Sequence, residues 1–241
     1  MQLKYIAKTD LGLHREVNQD NFADGRIDNS YIFIIADGLG HPEGGRFASR
    51  TAVEYIKNTF LETYPEDPVD FFHDIFSKVN GIILREKIQK YNREMMASTC
   101  VAVIIKDDKA YLANVGDSRA YLCHNRKLDQ LTKDQSLVQS MVDEGRITEE
   151  EARNHVMKHV VTEALGTRGK LNVDIYQDSI QLEVDDTLLI CTDGLWGMVP
   201  DDELEKIIKS NSIEDAGNKL IQSAKDNGGH DNITLQLIHI G

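Results

Sequence analysis

The sequence predicts an α+β fold in which stacked antiparallel sheets are covered by helices. Three observations carry this expectation. Short strand-like segments follow one another through tight joints, the two long helical segments fall side by side, and strands and helices do not alternate as a parallel sheet requires.

In chain order, residues 3–9 (LKYIAKT) and 31–36 (YIFIIA) read as strands, being short, apolar or alternating, and β-branched. Residues 44–62 then place Phe47, Ala48, Thr51, Ala52, Tyr55 and Ile56 on one helical face. Residues 69–92 do the same with Phe72, Ile75, Phe76, Val79, Ile82 and Ile83. Strands are expected at 98–106, 109–115 and 119–123. Between Leu131 and Leu165 the chain is polar and helical in short pieces, which predicts an insertion or flap over the sheet edge. Further strands follow at 175–182, 186–191 and 233–240. Helices are expected at 201–209 and 213–225, with Asp201 and Asp202 at the N-cap and first turn, where acids are favoured.

A chain of 241 residues can bury about three-quarters of its unfolded surface in one core. With four prolines and no Ser- or Gly-rich linker, residues 1–241 read as one domain. The net charge of −13, with no basic run to offset it, argues against nucleic-acid and anionic-membrane partners. Apolar runs fall far short of the ~20 residues that span a bilayer, and MQLKYIAKTDLG lacks the apolar core of a signal peptide. Cys100, Cys123 and Cys191 lie inside apolar runs and read as buried free thiols. Together these features predict a soluble cytoplasmic protein.

The chemistry concentrates on aspartates at strand ends. YIFIIADGLG runs into Asp37, LLICTDGLWG into Asp193 and AYLANVGDSR into Asp117, while NGGHDNITLQLI sets Asp231 just before a strand. Each also has a plain reading: Asp-Gly is a common turn, Gly116-Asp117-Ser118 suits a hairpin joint, and Asp231-Asn232 suits a cap or Asx-turn. If the carboxylates converge, their repulsion requires cations. An all-oxygen set without a His or Cys cluster selects hard ions such as Mg²⁺, Mn²⁺ or Ca²⁺. Gly38, lacking a Cβ, would let its carbonyl approach an ion. In HREVNQDNF, Arg15 adds a guanidinium suited to a tetrahedral oxyanion, beside Asn18 and Asp20.

The ordered set TDLGLHREVNQD, ADGLGHPEGGRFAS, ANVGDSRAYL, LTKDQSLV, ALGT, CTDGLWGMV and GGHDNITL resembles the metal-dependent Ser/Thr protein phosphatases of type 2C in their compact bacterial form. The resemblance spans residues 5–238. It implies a four-layer αββα sandwich that binds Mn²⁺ or Mg²⁺, two ions with a third, weaker one. Carried over by position, Asp37 would bridge both ions and Gly38 would offer its carbonyl. Asp193 and Asp231 would complete the second ion, and Asp20 would hold its water. Arg15 would clamp the phosphate, and Asp117 would share the third ion with Asp193. Residues 133–160 would form a flap beside the site. The implied reaction is hydrolysis of phosphoserine and phosphothreonine by an ion-activated water. The implied partners are phosphorylated Ser/Thr proteins of a cognate Ser/Thr kinase, met by a monomer.

Departures from the family pattern are equally plain. His41 replaces a glycine, Arg46 replaces an acid, and Leu39 stands where some members carry a histidine. In the flap, HVMKH replaces a more usual His-Pro stretch, and His155 reads as a substrate-facing residue. Trp196 reads either as lining the site or as a core aromatic. Rival classes are a non-catalytic relative and a calcium-stabilised sandwich, though no EF-hand loop is present. GTRGKL at 166–171 lacks phosphate-loop spacing.

Overall fold

A strand apolar on both faces must be covered on both faces. In the run Tyr31–Ala36, Phe33 and Ile35 pack into one layer, whereas Ile32, Ile34 and Ala36 pack into another. The computed structural model describes residues 2–89 and 96–241. Its strands are β1 (Leu3–Asp10), β2 (Asn21–Ile27), β3 (Ser30–Ala36), β4 (Gly38–Gly40), β5 (Met96–Ser98), β6 (Cys100–Lys106) and β7 (Lys109–Val115). There follow β8 (Arg119–His124), β9 (Lys127–Gln130), β10 (Asp174–Ile175), β11 (Ile180–Gln181), β12 (Thr187–Cys191) and β13 (Ile233–Ile240). The helices are α1 (Pro42–Thr63), α2 (Pro68–Gln89), α3 (Leu137–Asp143), α4 (Glu149–Asn154), α5 (Asp193–Trp196), α6 (Asp201–Ser210) and α7 (Ile213–Asp226).

One sheet runs β1-β13-β12-β8-β9 and the other β10-β7-β6-β3-β2, with β11 also on β7. Every pairing among these strands is antiparallel. The second sheet buries Ile34, Ala102 and Ala113 under α1 and α2. Phe33, Val103, Leu188 and Ile238 fill the space between the sheets. Leu189, Cys191, Leu235 and Leu237 pack under α6 and α7. Period-two alternation thus makes each central strand serve two layers, and the layers stack as αββα.

Helix boundaries follow local chemistry. Pro42 sits in the first turn of α1, and Tyr64 ends it in a left-handed conformation at φ 45°. Pro200, not Asp201, takes the N-cap of α6, which leaves Asp201, Asp202 and Glu203 in its first turn. Ser212 caps α7 by accepting from the Asp215 backbone.

Three expectations change. The segment 175–182 is not one strand: its pairing with β7 is split between β10 and β11, because the exposed Gln177 and Asp178 swing out between them. Edge strand β2 was not anticipated, since Asp24 and Gly25 break its apolar pattern. Tyr55 is 37% exposed, because the buried stripe of α1 runs through Ala48, Ala52, Val53, Ile56 and Phe60. The predicted end of the second helix, 90–92, lies outside the described residues. Among the described residues no helix is long and apolar enough to cross a membrane.

Removing a fully buried ring from the middle layer leaves a cavity, whereas trimming a surface ring does not. Phe33→Ala is therefore expected to cost about 3–5 kcal/mol in urea unfolding, and Tyr55→Ala less than about 1 kcal/mol.

Candidate metal centre

The antiparallel registers bring several strand ends to one edge of the sandwich. In the first sheet Cys191, ending β12, pairs with Leu235 near the start of β13 and with Arg119 at the start of β8. In the second sheet Ala36, ending β3, pairs with Asn21 at the start of β2, and Cys100 pairs with Val115. Asp37, Asp117, Asp193 and Asp231 all sit at this edge and line one cleft of about 240 Å³, together with Arg15, Gly38 and His159.

The joint carrying Asp117 is not a hairpin. Strand β7 belongs to one sheet and β8 to the other, so Gly116-Asp117-Ser118 carries the chain across the sandwich. Gly116 has φ +98°, and a Cβ there would stand 2.7 Å from Thr99 Cγ2. Gln135 holds the crossing, accepting from the Gly116 amide (2.8 Å) and donating its own amide to the Gly116 carbonyl (2.9 Å).

Around Asp37 the backbone is equally constrained. Its amide donates to Thr99 Oγ1 (3.0 Å), and its carbonyl accepts from the Thr99 amide (2.9 Å). A Cβ on Gly38 would lie 2.3 Å from the Gly45 carbonyl oxygen. Glycine therefore lets the first turn of α1 press against the site. Gln19 donates to the Gly38 carbonyl at 2.9 Å, and its amide donates to Asn232 Oδ1 at 2.8 Å. Asn18 is a scaffold residue: its Oδ1 accepts from the Asp20 amide (3.0 Å) and its Nδ2 donates to Thr9 Oγ1 (2.8 Å).

Charge at the edge is heavily one-signed. Burial first, then Asp20, Asp193, Asp117 and Asp231, hold the Asp37 carboxyl well above the ordinary range. Burial pushes Asp20 up to about 7, against hydrogen bonds that include one from Thr192 Oγ1 at 2.8 Å. Asp117, 3% exposed, is raised by burial and then by Asp193 and Asp134, with Arg119 opposing. Two basic side chains face part of this charge. Arg15 Nη2 donates to Asp231 Oδ2 at 2.6 Å, which holds the guanidinium above its usual value. His159 Nδ1 lies 3.4 Å from Asp193 Oδ2, and that contact raises its pKa.

The donors fit a hard divalent ion. They are carboxylates with the nearby Gly38 carbonyl, and Asp193 Oδ1 is buried with no hydrogen-bond partner. Among the described residues no three His, Cys, Asp or Glu side chains already close around one ion. That spread is what repulsion demands of neighbouring carboxylates, two of which lean on Arg15 and His159. A larger cavity of about 670 Å³ lies at the far end of the first sheet, where Asp186 is already paired with His124 at 2.8 Å.

The profile of the family described as protein phosphatase 2C matches residues 14–237. The chain belongs to the protein phosphatase 2C family. Among similar proteins, the serine/threonine phosphatase Stp of Listeria monocytogenes is 37% identical, over 96% of this chain and 93% of that one. The Streptococcus agalactiae serine/threonine phosphatase structure superposes with a TM-score of 0.93 at 29% identity, covering 100% of both chains. The catalytic domain of the serine/threonine phosphatase PstP, solved with two manganese ions, superposes at 0.87 with 28% identity, over 99% of both chains.

Within this phosphatase fold, one flap expectation changes. His155 does not line the cleft; it ends α4, and its Nδ1 accepts from the Met157 amide at 3.2 Å. His159, four residues further along, is the flap imidazole that reaches the carboxylates. His41 stands exposed before α1, outside the cleft lining. Sequence reasoning also passed over Thr99, Thr192, Asn232, Arg119 and Asp134. Their signal was faint: polar residues inside or beside apolar strands, where an unpaired polar group would be costly.

A raised carboxyl pKa favours the protonated form in the folded state. Its stabilisation is complete below the ordinary value of about 3.9 and is lost as pH rises through the folded value, about 7 for Asp20. The chelator-treated protein should therefore melt at lower temperature at pH 8 than at pH 5 in scanning calorimetry. Asp20→Asn should flatten that dependence, and Mn²⁺ at pH 8 should restore the melting temperature. A metal-free melting temperature that is constant or rises across this window would contradict the coupling.

Proposed function

We infer that this chain is a metal-dependent protein serine/threonine phosphatase. The observation that carries the reading is a cleft lined by Asp37, Asp117, Asp193 and Asp231 with one guanidinium, Arg15, at its mouth. When bound, a pair of Mn²⁺ or Mg²⁺ ions supplies Lewis acidity toward the phosphoryl group and lowers the pKa of water. Asp37, the Gly38 carbonyl, Asp193 and Asp231 would hold the pair, with Asp37 central among them. Asp20, buried behind Asp37 and anchored by Thr192, would serve as an outer acceptor for water. Asp117 and Asp193 together suit a third, weaker ion. Residues 1–241 act as one domain, with 133–160 as the flap.

The chain's own groups do the remaining work. Arg15 is half exposed, and its second fork is free to leave Asp231 for a phosphate dianion, which it would bind bidentately and orient. Neutralising the acidic edge lets an anionic substrate approach a protein of net charge −13. A cysteine nucleophile is disfavoured: Cys100, Cys123 and Cys191 are buried, and burial raises all three thiol pKa values. The substrates are phosphorylated Ser/Thr proteins. A cognate Ser/Thr kinase and a cytoplasmic, monomeric enzyme complete the reading, supported by the family likeness and the reduced, buried thiols.

Hydrolysis of phosphoserine and phosphothreonine peptides should require Mn²⁺ or Mg²⁺ and stop with chelator; turnover indifferent to chelator would overturn the reading. Asp37→Asn or Asp193→Asn should each lower kcat/KM by on the order of a hundredfold or more. Arg15→Ala should act mainly on KM, because its contact to phosphate is already made in the ground state.

A further inference from the structure

Trp196 is the single tryptophan of the chain, and catalysis as described above gives it no task. It closes the one-turn helix α5, which opens at Asp193. Its indole N–H donates to the Asp117 carbonyl at 2.9 Å. One side-chain hydrogen bond therefore ties the backbone of Asp117 to the short helix that opens at Asp193. These are the two carboxylates assigned to the third, outer ion.

The indole is itself clamped. The Arg119 guanidinium lies 3.5 Å from the Trp196 ring centroid. Its Nε and Nη2 donate to Asp134 Oδ1 (2.8 Å) and Oδ2 (2.7 Å), and Nη1 donates to Tyr121 Oη at 2.9 Å. Both members of the ion pair are buried, with side chains 12% and 6% exposed. An ion pair so enclosed is costly to bury, and removing either partner would strand the other's charge. Asp134 stands at the root of the flap, next to Gln135, whose amide and side chain hold Gly116. Arg119 and Tyr121 reach the stack together because they are two residues apart on β8 and share a face.

We propose that the Asp134–Arg119–Trp196 stack is a positioning element that holds Asp117 against Asp193, and so sets the affinity of the outer divalent ion and ties it to the placement of the flap. Trp196 touches neither substrate nor ion in this account; it acts through the Asp117 backbone. The inference rests on the dimetal phosphatase reading, because only that reading puts an outer ion between these two aspartates.

The test is calorimetric titration of Mn²⁺ into metal-free wild type, Trp196→Phe and Asp134→Asn. Phenylalanine keeps an aromatic ring under Arg119, though a smaller one, and deletes the N–H donor. Loss of one such hydrogen bond should weaken the weakest site roughly three- to tenfold while leaving the tight sites unchanged. In assays this variant should need more Mn²⁺ for half-maximal rate, with KM for peptide at saturating Mn²⁺ preserved. Asp134→Asn should weaken the same site selectively. An unchanged weakest site in folded Trp196→Phe, or equal weakening of every site, would overturn the proposal. A readout free of any substitution in the stack is Trp196 fluorescence, since Mn²⁺ quenches a nearby indole. Wild type should show a quenching phase at high Mn²⁺ that Asp117→Ala abolishes; identical titrations would overturn the assignment. A wild-type chain that bound no divalent ion would remove the dimetal reading itself, an outcome distinct from failure in the variants alone.

Discussion

Mutual repulsion among Asp20, Asp37, Asp117, Asp193 and Asp231 constrains everything at the open edge of the sandwich. Burial first, and then the charge of neighbouring carboxylates, holds the Asp37 and Asp117 carboxyls well above the ordinary range and pushes Asp20 up to about 7. Such a cluster is stable only with protons, with cationic side chains or with metal ions. The structure sets basic side chains against two of them, Arg15 on Asp231 and His159 beside Asp193. Metal ions would release both side chains for other partners.

Rigid backbone makes the cluster possible. Each aspartate sits at the end of a strand or at a joint whose own hydrogen bonds are satisfied, so none can relax far from the others. Gly194 shows how tight the joint is: a Cβ there would lie 1.9 Å from the Asn232 carbonyl oxygen, so the chain segments bearing Asp193 and Asp231 meet backbone to backbone. Gly12 serves the same end, at φ +76° and with the Asp231 carbonyl oxygen 2.1 Å from where a Cβ would stand. The acidic edge is thus held together by close backbone packing against the electrostatics of its own side chains.

Legibility in the sequence followed the range of the physical cause. Runs such as Tyr31–Ala36 and Cys100–Ile105 announced strands because a two-faced buried strand has no polar position to disguise it. The aspartates were legible as a set because the same ending recurred, and their convergence became an expectation through family resemblance. Features set by distant partners were not legible. The crossing at Gly116 looks like a hairpin until one knows that β7 and β8 belong to different sheets. His155 and His159 are indistinguishable in HVMKH without the flap backbone. Arg119, Asp134 and Trp196 lie far apart in the chain, and only the fold stacks them. Tyr55 was misplaced because the helical stripe is wide enough for a phase error of one residue.

Anomalous diffraction at the manganese edge, from crystals grown with Mn²⁺, tests the central claim most directly. The account predicts two strong peaks in the cleft between Asp37, Asp193 and Asp231, one beside the Gly38 carbonyl, with Arg15 turned off Asp231. Density showing those carboxylates pointing apart with no manganese between them would contradict it.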